Sequence, residues 1–187
     1  MKLNIIVAMC NKTRGMGHNK ILPHINNNNK YFQKLTMGNG NNAIIMGRNT
    51  WQTLPKKPLF KRKNIILSST LQHNDNASCM HKNNNNSVFV FNSFDNLILN
   101  LEKQEFDDIW IIGGEKIYKL FLKHNLISKI YITSIETQNK LKYNTHFPTF
   151  SSDFKLEYKS PTIEEIRVYG PTLIKYKYNF EIYNKIN

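Results

Sequence analysis

The chain has 187 residues, 40% of them hydrophobic, including eleven Phe, nine Tyr and two Trp; this supports one apolar core and excludes a disordered chain. No run approaches the roughly 18 apolar residues of a membrane helix, and two cysteines, Cys10 and Cys79, make no disulfide framework, so a reduced cytoplasmic setting is expected. The net charge of +13 is unevenly placed, because residues 1–74 hold twelve Lys/Arg and no Asp or Glu, while the rest of the chain is nearly neutral.

The apolar run at residues 5–10 is too short for a signal peptide and reads as part of a buried first strand over residues 3–9. Further strand-like runs fall at residues 43–46, 64–68, 87–91, 108–112 and 129–135. Several are apolar at consecutive positions, as in a sheet covered on both faces. Helical spacing predicts helices over residues 28–36, 50–54, 93–102 and 115–123. In the third, Ser93 is an N-cap candidate, and Phe94, Leu97, Ile98 and Leu101 form one apolar face. After an irregular stretch, residues 172–178 and 179–183 alternate like an antiparallel edge strand. Strand–helix alternation closed by antiparallel strands predicts a single α/β domain with a mixed sheet. The Asn runs at residues 26–29 and 83–86 read as polar surface segments.

Four segments carry chemistry. Gly15-Met16-Gly17-His18-Asn19-Lys20 follows the first strand, where glycine lets backbone approach a ligand. Ile44-Ile45-Met46-Gly47-Arg48-Asn49-Thr50 is a strand ending in Gly, with a base and a hydroxyl at the start of a helix, an arrangement suited to phosphate. Pro58-Leu59-Phe60-Lys61-Arg62-Lys63 leads into a strand that ends in Ser68-Ser69. Ile111-Ile112-Gly113-Gly114-Glu115-Lys116-Ile117-Tyr118 repeats the strand, glycine turn and helix. Only Lys61-Arg62-Lys63 forms a tight basic cluster, which favours attraction of small anions over a nucleic-acid module. Histidines 18, 73, 81, 124 and 146 lack metal-ligand spacing, so no metal is expected.

Taken in order, these segments resemble dihydrofolate reductase from Leu3 to Tyr183, including Asn144-Thr145-His146-Phe147-Pro148 and the closing Phe180-Glu181-Ile182. The resemblance implies a mixed, mostly parallel eight-stranded sheet with an antiparallel C-terminal edge and flanking helices. It also implies a monomer reducing 7,8-dihydrofolate with NADPH. Ala8 would meet the nicotinamide through its backbone, and Gly17 and Asn19 would belong to the loop that closes over it. Gly47, Arg48 and Thr50 would hold cofactor phosphates, with Arg48, Ser68 and Ser69 near the 2′-phosphate. Gly113, Gly114, Glu115, Lys116, Ile117 and Tyr118 would cradle the diphosphate, across a cis Gly113–Gly114 peptide, with Ile112 and Tyr118 beside hydride transfer. Ile6, Phe32 and Leu59 would sandwich the substrate rings, and Arg62 would bind the glutamate carboxylate. Independently of the resemblance, an acid-free region around Arg48 favours a cofactor carrying the extra phosphate.

The pattern breaks on the first helix. The family carries an Asp or Glu four residues before the substrate-stacking Phe; here that position is Asn28, with Asn27 or Asn29 as alternative occupants because the preceding loop is one residue shorter than the family's shorter common length, and all three are Asn. Positions 28, 31, 32 and 35 share one helical face, expected to look into the pocket; the resemblance implies that Thr133, which would normally hydrogen-bond the acid, remains available to position a water. An amide offers one acceptor and one donor where the carboxylate offers two acceptors. Slowed reduction with solvent protonating N5 follows as the leading expectation. His24, in place of the usual Trp, is a candidate proton donor. A non-catalytic relative that binds NADPH or a polyanion is one alternative reading. An NADPH-dependent reductase of a riboflavin-pathway pyrimidine on the same fold is the other.

Overall fold

The computed structural model describes residues 2–17, 25–71, 78–79, 87–136, 142–169 and 172–186. In chain order its elements are β1 (Leu3–Cys10), β2 (Gly15–Gly17), α1 (Asn26–Met37), β3 (Asn42–Gly47), α2 (Arg48–Thr53), β4 (Arg62–Leu67), β5 (Ser78–Cys79), β6 (Val88–Phe91), α3 (Phe94–Glu102), β7 (Ile109–Gly113), α4 (Glu115–Lys123), β8 (Ile127–Glu136), β9 (Thr145–His146), β10 (Phe154–Lys159), β11 (Ile163–Tyr169) and β12 (Thr172–Lys185). The main sheet runs β10-β12-β8-β1-β7-β3-β4-β6-β5, with β11 also on β12. β8, β1, β7, β3, β4 and β6 pair in parallel across its centre, the short β5 pairs antiparallel with β6, and β8, β12, β10 and β11 form an antiparallel edge, while β2 and β9 make a separate two-stranded antiparallel sheet. The expected mixed, mostly parallel sheet is present: six expected runs become β1, β3, β4, β6, β7 and β8, the two C-terminal runs merge into β12, and β10, β5 and β11 complete it.

Continuous apolar runs became strands buried on both faces. Ala43, Ile44, Ile45 and Met46 of β3 are each fully buried, and each large side chain there contributes about 1.5–3 kcal/mol by leaving water. One face packs with α3 and α4 through Leu97, Leu101, Ile117, Tyr118 and Phe121; the other packs with Phe32, Leu35, Trp51 and Leu54 of α1 and the α2 segment. The apolar face expected for α3 holds, with Leu97 and Leu101 buried and Phe94 and Ile98 packed beside them. Ser93 does occupy the N-cap, but its side chain makes no capping hydrogen bond.

Two expectations at the C-terminal end need correction. Residues 154–169 are not irregular, since β10 and β11 lie end to end along β12. β12 is therefore flanked on both sides over much of its length, with β8 on the other. β10 is exposed on both faces apart from Phe154, so its sequence lacks the alternation that marks a half-buried strand.

A split in the sheet positions the site. β1 pairs with β8 from Leu3 to Cys10, whereas its ladder with β7 ends at Ile5 opposite Ile111. Beyond that point β7 continues on β3, with Gly113 opposite Met46. The backbone of Ile6 onward and the end of β7 therefore diverge, opening a cleft at the carboxyl ends of the strands, where ligands of α/β sheets bind.

Candidate active site

α1 crosses one lip of this cleft, and its register is set by two packing faces. Tyr31 stacks on Phe180 of β12 with ring centres 4.1 Å apart, and Asn27 Nδ2 donates to the Tyr178 hydroxyl at 3.0 Å. Position 31 therefore turns to β12 rather than into the pocket. The remaining positions, 28, 32 and 35, face inward at helical spacing. Phe32 and Leu35 join Ile6, Leu54, Leu59, Trp110, Ile112 and Tyr131 in one apolar cluster. The buried Trp110 Nε1 has no hydrogen-bond partner among the described residues, leaving a donor within the cluster's wall.

Asn28 meets β8 directly. Thr133 Oγ1 donates to Asn28 Oδ1 at 2.7 Å, and Thr133 is buried. Of the three candidate asparagines, Asn28 makes this contact. Its amide oxygen accepts from Thr133, and its nitrogen, a donor, has no hydrogen-bond partner among the described residues.

The loop after α2 is held by one asparagine that sequence reasoning missed. Asn64, fully buried in β4, accepts from Leu59 N–H at 2.9 Å and donates to the carbonyls of Leu59 at 3.0 Å and Arg62 at 2.8 Å. Those bonds fix Leu59 against the apolar cluster and start Arg62 into the sheet. Arg62 is only 5% exposed. Its Nε donates to Phe60 O at 3.0 Å and its Nη1 to Thr36 Oγ1 at 2.7 Å, with its charge centre 5.9 Å from the Phe32 ring. It has no carboxylate partner among the described residues, and burial lowers its pKa to about 10. A buried cation without an anion is costly, so this guanidinium is set up to receive one.

Two strand–glycine–helix turns converge on the other side of the cleft. A side chain at Gly47 would come within 3.1 Å of Ile117 Cγ1, and one at Gly114 within 3.4 Å of Thr50 Oγ1. Gly113 has φ +109° and a side chain there would meet the Tyr118 ring at 2.9 Å. The Gly113–Gly114 peptide is cis, as expected. α4 follows with no side-chain cap, leaving first-turn N–H groups for an anion. Exposed Arg48 donates to Thr70 Oγ1 at 2.7 Å and has no carboxylate partner among the described residues. Thr70 was not anticipated. Ser68 is buried and its hydroxyl accepts from Thr70 and Leu71 N–H, whereas Ser69 is exposed next to it.

Tyr118 and Glu115 have structural engagements. The Tyr118 hydroxyl donates to Ile6 O at 2.9 Å, tying α4 to β1 at the split, and burial raises its pKa, so the phenol stays neutral. Glu115 turns to Lys119 at 2.6 Å and accepts from His146 N–H at 3.0 Å; the Lys119 hydrogen bond, followed by that N–H, lowers its pKa. This links the glycine turn to β9, which pairs with β2 at Gly15 and Gly17. Arg14 bonds the carbonyls of Phe147 and Pro148 and lies over the Phe147 and Phe150 rings, fixing the base of that loop. Asn19 and His24 lie outside the described residues. Cys10 is buried and free.

The family model for dihydrofolate reductase matches residues 2–185. The chain belongs to the dihydrofolate reductase family. Membership classes it with oxidoreductases. A dihydrofolate reductase of Heliothis virescens is 32% identical over 197 residues, spanning 100% of this chain and 98% of its own length. That of Gallus gallus is 32% identical over 195 residues, 98% of this chain and 96% of its own. A bifunctional dihydrofolate reductase-thymidylate synthase of Plasmodium chabaudi is 36% identical over 146 residues, 77% of this chain and 23% of that protein. Among the described residues no helix is long and apolar enough to cross a membrane.

Proposed function

We propose that the protein reduces 7,8-dihydrofolate to 5,6,7,8-tetrahydrofolate with NADPH, as a cytosolic monomer, at a rate limited by Asn28. The observation that carries the substrate assignment is Arg62, a buried guanidinium without a carboxylate partner among the described residues, next to the Phe32 ring and the apolar cluster. A ligand with an aromatic body and an anionic tail satisfies both features, and the folate glutamate has that tail. Ile6, Phe32, Leu59 and Ile112 enclose the rings, and Asn28 with Thr133 meets the pterin edge. Position 28 serves the pterin N–H groups poorly because only its amide oxygen, which also accepts from Thr133, can accept, while its nitrogen is itself a donor.

The donor set also fits the cofactor. Gly47, Gly113 and Gly114 leave space that a Cβ would fill, Thr50 sits between the two turns, and Arg48 with Ser69 and Thr70 offers a cation and hydroxyls for the 2′-phosphate. The backbones of Ala8 and of Glu115 through Ile117 would line the same path. NADPH, when bound, supplies the hydride. The protein's residues orient the ring and leave N5 to be protonated by solvent water, since the Asn28 amide has no acidic proton to relay.

The test is calorimetric titration with dihydrofolate and with 7,8-dihydropterin, the same ring system without the tail. Wild-type protein is expected to favour dihydrofolate at least tenfold, and Arg62→Leu to erase that preference. Equal affinity of wild-type protein for the two ligands contradicts the reading and favours a reductase of a smaller heterocycle.

A further inference from the structure

α1 begins without the devices that usually start a helix. Its N-cap is Ile25, which has no side-chain capping bond, and its first turn contains no acid. Four uncapped N–H groups at a helix N-terminus carry partial positive charge and need acceptors. Asn26 finds one far along the chain, because its N–H donates to Glu165 Oε1 at 3.1 Å. Glu165 belongs to β11, which pairs with β12 so that Glu165 lies opposite Tyr176 and diagonal to Tyr178 on one face. The Tyr178 hydroxyl donates to Glu165 Oε2 at 3.4 Å and accepts from Asn27 Nδ2 at 3.0 Å. Both Asn26 and Asn27 thus connect to one carboxylate. Asn28, the next residue, holds Thr133 at 2.7 Å.

We infer that Glu165 is a positioning residue for the folate end of the site: through Asn26, Tyr178 and Asn27 it fixes the first turn of α1 and so the orientation of Asn28. It supplies from the C-terminal hairpin a carboxylate that α1 does not encode. The effect on ligand is indirect, since Glu165 touches the helix terminus rather than the pocket. Burial, then the charge of Glu165, raises the Tyr178 pKa against the opposing Asn27 bond, so the phenol remains a neutral donor to the carboxylate. The cofactor side, built from the ends of β3 and β7, shares none of these bonds.

The inference rests on the proposal that α1 borders a folate site, and the experiment separates the two. Dihydrofolate and NADPH dissociation constants are measured by titration for wild-type protein, Glu165→Ala, Tyr178→Phe and the double variant. Glu165→Ala and Tyr178→Phe are each expected to weaken dihydrofolate roughly three- to tenfold and leave NADPH unchanged. The double variant is expected to match the weaker single variant, because both substitutions break one network. Glu165→Gln, which keeps an acceptor for Asn26 but loses the charge, is expected to fall between Ala and wild type. Unchanged dihydrofolate binding in both single variants, equal weakening of both ligands, or full additivity overturns the inference. Failure of wild-type protein to bind dihydrofolate at all overturns the proposed function instead.

Discussion

Replacing Asn28 by Asp exchanges one heavy atom, the amide nitrogen for an oxygen, and reverses the hydrogen-bonding character of the pocket's polar end. In the wild type, Thr133 donates to Oδ1 at 2.7 Å, so a pterin N–H arriving at this side chain meets an amide nitrogen that also donates. In Asn28→Asp, Thr133 keeps its acceptor and the second carboxylate oxygen accepts from the ligand. Exchanging an opposed pair for a charge-assisted bond is worth about 1.5–3 kcal/mol, which is roughly 10- to 150-fold in dihydrofolate affinity. Assistance to protonation at N5 adds roughly 10²–10⁴-fold in turnover. Position 28 lies in the first turn of α1, where a negative charge contributes about 0.3–1 kcal/mol by facing the helix dipole. Thermal stability is therefore expected to hold or rise. The assay is NADPH oxidation with dihydrofolate from mildly acidic to mildly alkaline pH. Wild-type rates should climb as pH falls throughout the range, while Asn28→Asp should be faster and level off at its own carboxyl-dependent plateau. Equal kcat/KM at neutral pH, with superimposable pH profiles, refutes the reasoning.

Asn64→Leu removes three hydrogen bonds that organise Leu59 and Arg62, and about 1 kcal/mol for each predicts a loss of roughly 2–4 kcal/mol in urea unfolding. Gly113→Ala places a methyl against the Tyr118 ring at positive φ; NADPH binding measured by fluorescence quenching is expected to fall at least tenfold. The lowered Arg62 pKa of about 10 gives a signed pH prediction. The folded state holds this proton less tightly than the unfolded chain, so its burial disfavours folding below that pH and the penalty eases above it. Binding of the anionic tail moves oppositely, constant through neutral pH and weaker above about 10, read as the dihydrofolate dissociation constant.

Local signals made some elements readable to the residue. Helix α4 runs over the expected residues, Glu115–Lys123, because Gly113-Gly114 precedes it and its apolar positions recur at helical spacing. α1 starts two residues earlier than its sequence suggests. Four consecutive asparagines give no boundary, and its N-terminal acceptor, Glu165, is 139 residues away. The apolar pocket residues Ile6, Phe32, Leu59 and Ile112 were recoverable by resemblance and do gather in one cluster. Asn64 and Thr70 were not, because an asparagine in an Ile-rich strand or a threonine in a loop looks ordinary until the backbone it serves is seen. The acid-free first 74 residues acquire two structural meanings. Arg48 and Arg62 stand without carboxylate partners among the described residues, and position 28 presents to Thr133 an amide rather than a carboxylate.

The most direct test of the central claim is a single-turnover reaction with protein in excess over dihydrofolate, NADPH present, at mildly acidic pH, with product identified by mass. The expected result is tetrahydrofolate, two hydrogens heavier than the substrate, formed in a one-to-one ratio with NADPH consumed. Recovery of unreduced dihydrofolate after full incubation, with NADPH intact, contradicts the account.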